Sequence, residues 1–81
     1  MFPLGSMRVR ITTVSELGAI VRRERRRAGL RQDDLALASG TGRRFISELE
    51  RGKPTVRLDS VLEVLSALGV KVELAGRGDD G

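Results

Sequence analysis

The spacing of apolar positions along this chain predicts a run of helices separated by glycine-marked turns, with a short alternating segment at either end. Leu17, Ile20, Val21 and Ala28 fall on one face of a first helix, with Arg22, Arg23, Arg26 and Arg27 opposite. Ser15 suits its N-cap and Gly29 the residue just past its end, with Leu30 packing back under the turn. A second, short helix is expected over 32–39, with Leu35, Ala36 and Ala38 facing inward. Asp33 and Asp34 fall in its first turn, where the positive helix end favours carboxylates. Gly40 provides the permissive backbone of a sharp turn. A third helix starts at about Gly42, turns Phe45, Ile46 and Leu49 inward, and closes at Gly52, after which Pro54 blocks continuation. A fourth, over 58–68, carries Leu58, Val61, Leu62, Leu65 and Leu68 on one stripe and ends at Gly69. "RVRIT" (8–12) and "VKVEL" (70–74) alternate as short strands, and "AGRGDDG" reads as a frayed tail. The expected fold class is all-α with a small β addition: four to five helices plus a short C-terminal strand.

Composition narrows the chemistry more than the fold. Eighty-one residues make one domain, near the lower end of what a single core can hold. With no Cys and no His, disulfides, thiolate catalysis and the usual zinc sites are excluded. No apolar run approaches the roughly 18 residues of a membrane span, so a small soluble intracellular domain is the expectation. "MFPLGS" before Met7 reads as an expression remnant, which leaves one domain over 7–75 and a flexible tail over 76–81. No nucleophile–base pair or phosphate loop is present, and "LGVKVELAGRG" lacks the spacing of a nucleotide fingerprint. No enzyme, cofactor or metal is expected.

Charge adds a direction. Between Arg22 and Arg57, eleven Lys/Arg stand against five Asp/Glu, whereas the rest of the chain has four basic and six acidic residues. Such a concentration suggests a polyanion partner, with a solvated helix face as the plain alternative. Two Phe and no Tyr or Trp leave little for base stacking, which favours a duplex over single strands.

Two short helices joined by a tight glycine turn form a helix-turn-helix unit, whose second helix fits the DNA major groove. "QDDLALASGTGRRFISELERGK" satisfies that geometry. Ala36 lets the helices cross, Gly40 makes the turn, and Ile46 with Leu49 anchors the second helix. Arg43, Arg44, Ser47, Glu48 and Arg51 are then left facing outward. Arginine pairs bidentately with guanine O6 and N7, and glutamate accepts from cytosine N4. Glu48 could instead orient Arg44, its i−4 neighbour. Arg51, Lys53 and Arg57 follow this helix and suit phosphate contacts, or serve as solvated charge. Phe45 belongs to the core, with a thymine methyl contact as the lesser option.

"GLRQDDLALASGTGRRFISELERGKPTVRLDSVLEVLSALGVKVEL" resembles the Xre-type helix-turn-helix family of lambdoid phage repressors, and within it the HipB-type antitoxin branch. The similarity spans about residues 13–74. It rests on the combination of Gln32, Leu35-Ala36, Gly40, Ile46, Leu49-Glu50 and Gly52. The resemblance implies a lambda-repressor-like bundle. It also implies that Gln32 bonds the DNA backbone and braces the recognition helix, that Arg43, Arg44, Ser47 and Glu48 occupy the base-reading positions, and that Arg25 and Glu50 form a structural ion pair. Arg31 departs from the family's small polar N-cap and Gly42 from its usual Ser. Arginine at 31 could add a phosphate contact, and a bare Gly42 N–H can still approach one closely.

One such unit buries too little DNA for tight specific binding, so a homodimer on an inverted repeat is expected, with half-sites roughly 34 Å apart. Val70, Val72 and Leu74 form one apolar face of the last segment, suited to dimerisation. In HipB-type proteins the corresponding strand pairs with its twin; pairing with "RVRIT" is the competing use. The resemblance further implies an antitoxin and autorepressor partnered with a HipA-like kinase toxin. A stand-alone phage-type regulator and a protein-interaction adaptor are the other readings of the same fold.

Overall fold

The computed structural model describes residues 8–77, and its regular structure is four α-helices. They are α1 (Val14–Arg27), α2 (Gln32–Ser39), α3 (Arg43–Glu50) and α4 (Leu58–Ala67). The expected remnant over 1–6 and the tail beyond residue 77 lie outside the described residues.

Side chains from all four helices converge on one core: Val21, Leu35, Ala36, Ile46, Leu49, Val61, Val64 and Leu65. Val14, Leu17, Phe45, Val56, Leu68 and Val70 pack around it, which places Phe45 with the core as expected.

Local chemistry fixes where the helices begin. Thr13 caps α1, not Ser15: its hydroxyl accepts from the Glu16 N–H at 3.1 Å, while the Glu16 carboxylate accepts from the Thr13 N–H at 3.2 Å. This reciprocal box needs an acid three residues past the cap, which Thr13 has and Ser15 lacks. Arg31 has no acceptor with which to cap α2. Asp34 supplies the other half of the box, accepting from the Arg31 N–H at 2.8 Å.

Three expected faces are corrected. In α2 the third buried position is Ser39, not Ala38, which is exposed. Buried positions at i, i+1 and i+4 leave Ala38 off the inward arc, and the Ser39 hydroxyl is satisfied by the Leu35 carbonyl at 2.7 Å. In α4 the stripe runs through Val61, Val64 and Leu65, leaving Leu58 and Leu62 exposed. Ala28, past the last residue of α1, is exposed too.

Neither expected strand is present among the described residues. Residues 8–12 and 70–74 approach each other, with Arg8 Nε 3.4 Å from Glu73 Oε1, but form no ladder. A strand is stabilised by hydrogen bonds to a neighbour, and neither segment finds one within a single chain.

The crossing of α1 with α3 depends on Gly18. A methyl group there would overlap the Leu49 carbonyl oxygen and meet the Glu50 Cα at 3.1 Å. Glycine inside a helix normally costs about 1 kcal/mol relative to alanine, so Gly18→Ala would stabilise an isolated α1. Here the obstruction is backbone, which cannot swing aside, and overpacking of this kind costs about 1–3 kcal/mol or more. Gly18→Ala should therefore lower the melting temperature, by roughly 4–8 °C per kcal/mol of net loss. An unchanged or raised melting temperature would show that α1 and α3 can separate freely.

Candidate nucleic-acid interface

Helices α2 and α3 are set by the turn between them. Gly40 adopts φ +70°, ψ +25°, a left-handed conformation that costs a residue with Cβ roughly 1–2 kcal/mol. The chain reverses there, with the Thr41 N–H donating to the Ala36 carbonyl at 3.0 Å. Two residues later Gly42 stands at the N-cap of α3, with no side chain to cap it.

Ile46 and Leu49 bury one face of α3, and that alone decides what the other face presents. Arg43 and Arg44 project from its first turn, their side chains 70% and 91% exposed. Arg51 is exposed, and Ser47 and Glu48 are half-buried at the edge of the same surface. Cations at the positive end of a helix are disfavoured by about 0.3–1 kcal/mol each. The first turn of α3 thus breaks a local rule, as functional surfaces do.

Among the described residues, every cation of this surface except Arg51 is held by a carboxylate of the same chain. Arg43 Nε lies 3.1 Å from Asp33 Oδ1, which ties the first turns of α2 and α3 together. Glu48 receives Arg44 Nε at 3.2 Å and Lys53 Nζ at 3.3 Å on its two oxygens. Partial burial works to raise the Glu48 carboxyl, but the hydrogen bonds and charges of Lys53 and Arg44 outweigh it, and the group ends below the ordinary carboxylate range. Arg57 pairs with Asp59 at 2.7 Å and Arg31 with Asp34 at 3.9 Å.

Lys53 reaches Glu48 because of how α3 ends. Gly52 (φ +82°) turns the chain so that the Lys53 N–H donates to the Glu48 carbonyl at 3.1 Å and the Gly52 N–H to the Leu49 carbonyl at 3.0 Å. This is a Schellman closure, and it folds Lys53 back over the last turn.

Behind the surface, Arg25 and Glu50 form a nearly buried bidentate pair: Nε donates to Oε2 at 2.6 Å and Nη2 to Oε1 at 2.9 Å. Arg25 also donates to the Leu30 carbonyl at 2.9 Å, and Gln32 donates to Glu50 Oε1 at 3.2 Å. The group joins α1, α2 and the end of α3. Burial pushes the Glu50 carboxyl up, but bonds from Arg25 and Gln32 and the charges of Arg25 and Arg22 bring it below its ordinary value. The bond to Glu50 raises Arg25 in turn.

Arg43, Arg44, Glu48 and Lys53 are thus gathered in one patch around α3, while Arg57 stands at the start of α4 with its own partner. Asp33 was not among the expected site residues. It is ten residues from Arg43, beyond any helical repeat, and only the Gly40 turn brings the two together. At the far end of the chain Val70 packs on the core, while Val72 and Leu74 are 52% and 94% exposed. Val70 and Val72 line a shallow surface hollow together with Leu62 and Leu65 of α4.

Residues 21–74 match the helix-turn-helix family model HTH_3. An uncharacterized HTH-type transcriptional regulator, y4mF of Sinorhizobium fredii, is 45% identical over 73 residues, covering 90% of this chain and 96% of that protein. Among solved structures, HipB in a HipA–HipB–O2–O3 complex superposes with a TM-score of 0.78 at 21% identity, covering 88% of this chain and 100% of that one. At that identity the likeness is one of fold. The clp gene regulator ClgR of C. glutamicum gives a TM-score of 0.65 at 34% identity, covering 76% of this chain and 80% of that one. No helix among the described residues is long and apolar enough to cross a membrane. The match of sequence over most of the chain, on a bundle with this glycine turn and outward-facing third helix, establishes that the protein belongs to the Xre-type helix-turn-helix family of DNA-binding transcriptional regulators.

Proposed function

We propose that this protein is a sequence-specific repressor that binds double-stranded DNA as a homodimer on an inverted repeat, with α3 in the major groove. The observation that carries this reading is the outward projection of Arg43 and Arg44 from the first turn of α3. In that placement Arg43, Arg44 and Ser47 reach base edges, and Glu48 orients Arg44 in preference to reading a base itself. Arg31, the Gly42 N–H, Arg51, Lys53 and Arg57 contact phosphates. Gln32 acts on the DNA backbone from the first turn of α2 and braces α3 through Glu50. Val70, Val72 and Leu74 supply the dimer contact, where a second copy would give "VKVEL" the partner strand it lacks.

The finer reading is an antitoxin that represses its own operon with a HipA-like kinase partner. It is supported by the fold likeness to HipB, which is found in complex with HipA. It is supported also by the exposed Arg22, Arg23, Arg26 and Arg27 on α1. These border Glu50, at the opposite end of α3 from Arg43, and suit an acidic partner surface while leaving the groove-facing end free. The same arginines favour the adaptor reading, in which protein binding is the main role.

Gel-shift titration on the DNA upstream of its own gene tests these readings together, with the neighbouring gene's product present and absent. A two-to-one complex on an inverted repeat, strongly preferred over random duplex, is expected. Equal affinity for random duplex would leave the adaptor, and a complex indifferent to the neighbour's product would leave a stand-alone regulator.

A further inference from the structure

On the surface that the proposed function turns toward DNA, nearly every cation already has an anion. Arg43 is held by Asp33, Arg44 and Lys53 share Glu48, Arg57 pairs with Asp59, and Arg31 with Asp34. The basic face of α1 differs: Arg22 and Arg26 have no carboxylate within ion-pair distance among the described residues, and Arg23 and Arg27 share Glu24. The carboxylates therefore do not simply follow the cations wherever these occur.

Other duties account for some of them. Asp34 accepts from the Arg31 N–H at the start of α2, and Asp59 accepts from the Ser60 N–H at the start of α4, so both have a part in helix initiation. Asp33 accepts no such backbone bond, and neither does Glu48, whose oxygens face Arg44 and Lys53. The positive end of α2 favours Asp33 and the i,i+4 pairing with Arg44 favours Glu48, yet on a face turned toward a polyanion each also sets a negative charge against the partner. A protein selected only for affinity to a polyanion would do better with neutral side chains at both positions.

We propose that Asp33 and Glu48 are specificity-determining residues: built-in competitors of DNA phosphate that hold Arg43, Arg44 and Lys53 back from indiscriminate contact. The inference rests on the reading of this surface as the DNA-binding face. A phosphate on random duplex offers an arginine a charge much like the one it already has, and approaching it brings a carboxylate against the backbone. The exchange gains little. A guanine edge offers two acceptors in fixed geometry, which a carboxylate fixed at the side of the guanidinium does not block. The carboxylates thus subtract from the non-specific term, which every sequence shares, more than from the specific one.

The salt dependence of binding separates this from a merely structural role. Each phosphate neutralised in B-DNA contributes about −0.9 to the slope of log K against log salt concentration. Asp33→Asn frees Arg43, and Glu48→Gln frees Arg44 and Lys53. On a random duplex of about 30 base pairs, D33N should bind roughly 3–10-fold tighter at low salt and steepen the slope by up to about 0.9. E48Q should steepen it by up to about 1.8, and both should narrow the preference for operator over random duplex. Glu63→Gln serves as the control: Glu63 is exposed on α4 and outside every ion pair among the described residues, so it raises net charge equally without freeing a cation. Circular dichroism at each salt concentration establishes that the variants are folded.

Slopes for D33N and E48Q matching that of E63Q would overturn the inference while leaving the repressor reading intact. So would tighter random binding with an unchanged operator-to-random ratio. Failure of the wild-type protein to retain any duplex, operator included, would overturn both.

Discussion

Replacing both Arg43 and Arg44 by alanine should reduce discrimination between operator and random duplex by roughly 30-fold or more, since each bidentate arginine–guanine pair is worth about 1–3 kcal/mol of discrimination. The fold should survive. Both side chains are largely exposed, and exposed ion pairs contribute about 0–1 kcal/mol. Glu48 also keeps Lys53 as a partner after Arg44 is gone. Loss of binding in a variant of unchanged melting temperature would therefore report on recognition. The pattern of loss is as informative as its size. If the two arginines read bases, operator affinity falls far more than random affinity. If they hold phosphates, both fall in parallel and the salt slope flattens by roughly 1.8 for the pair. Parallel loss would transfer the base-reading role elsewhere on α3. Once Glu48→Gln has freed it, replacing Lys53 by alanine should show the parallel pattern, because an ammonium at the end of α3 acts on phosphate as a point charge.

Much of this surface was legible in the sequence because its determinants are local. Ile46 and Leu49 fix which way α3 faces, and everything on the opposite side follows from a 100° step per residue. The glycine turn at 40 and the Arg25–Glu50 pair were likewise anticipated, the first from backbone chemistry and the second from family resemblance. What the sequence obscured falls into two kinds. One is competition between neighbouring solutions of similar quality. Thr13 and Ser15 are both good caps, and Glu16 decides between them. On α4 two leucine-rich stripes overlap, and Val64 draws the helix round so that Leu58 and Leu62 remain outside. The other kind depends on long-range geometry. No periodicity joins Asp33 to Arg43, and the five-residue step from Glu48 to Lys53 closes only through the turn at Gly52. The expected strands belong to this second kind. Alternation specifies a face, but a ladder also needs a partner, and a single chain offers "VKVEL" none.

The Arg25–Glu50 pair carries a second large effect, whose dependence on pH identifies its origin. The Arg25 and Glu50 side chains are only 10% and 5% exposed. Arg25→Ala leaves the Glu50 carboxylate with the Gln32 amide but without its guanidinium. Breaking a buried pair by removing one member costs about 3–5 kcal/mol, a large fraction of the roughly 5–15 kcal/mol that holds a domain together. In the wild type the folded Glu50 carboxyl titrates below its ordinary value. Its stabilising contribution is complete above the unfolded pKa and is lost as pH falls through the lower, folded one. Removing Arg25 takes away the strongest of the influences that lower it. Burial, already the largest single influence on Glu50, is then opposed only by the Gln32 amide and the charge of Arg22, and the folded pKa rises above that of the wild type. The folded variant binds the proton more tightly than the folded wild type, so acid narrows the difference between them. The gap in unfolding free energy between wild type and R25A should therefore be widest near neutral pH. It should shrink through the ordinary carboxylate range towards pH 4, as urea titrations at several pH values can measure. Adding Glu50→Gln to R25A should recover stability at pH 7, since an amide is far cheaper to bury than an unpaired carboxylate. A gap that stays constant with pH, together with no recovery in the double variant, would mean that Arg25 supports the fold through the packing of its methylene stem and its bond to the Leu30 carbonyl rather than through the charge on Glu50.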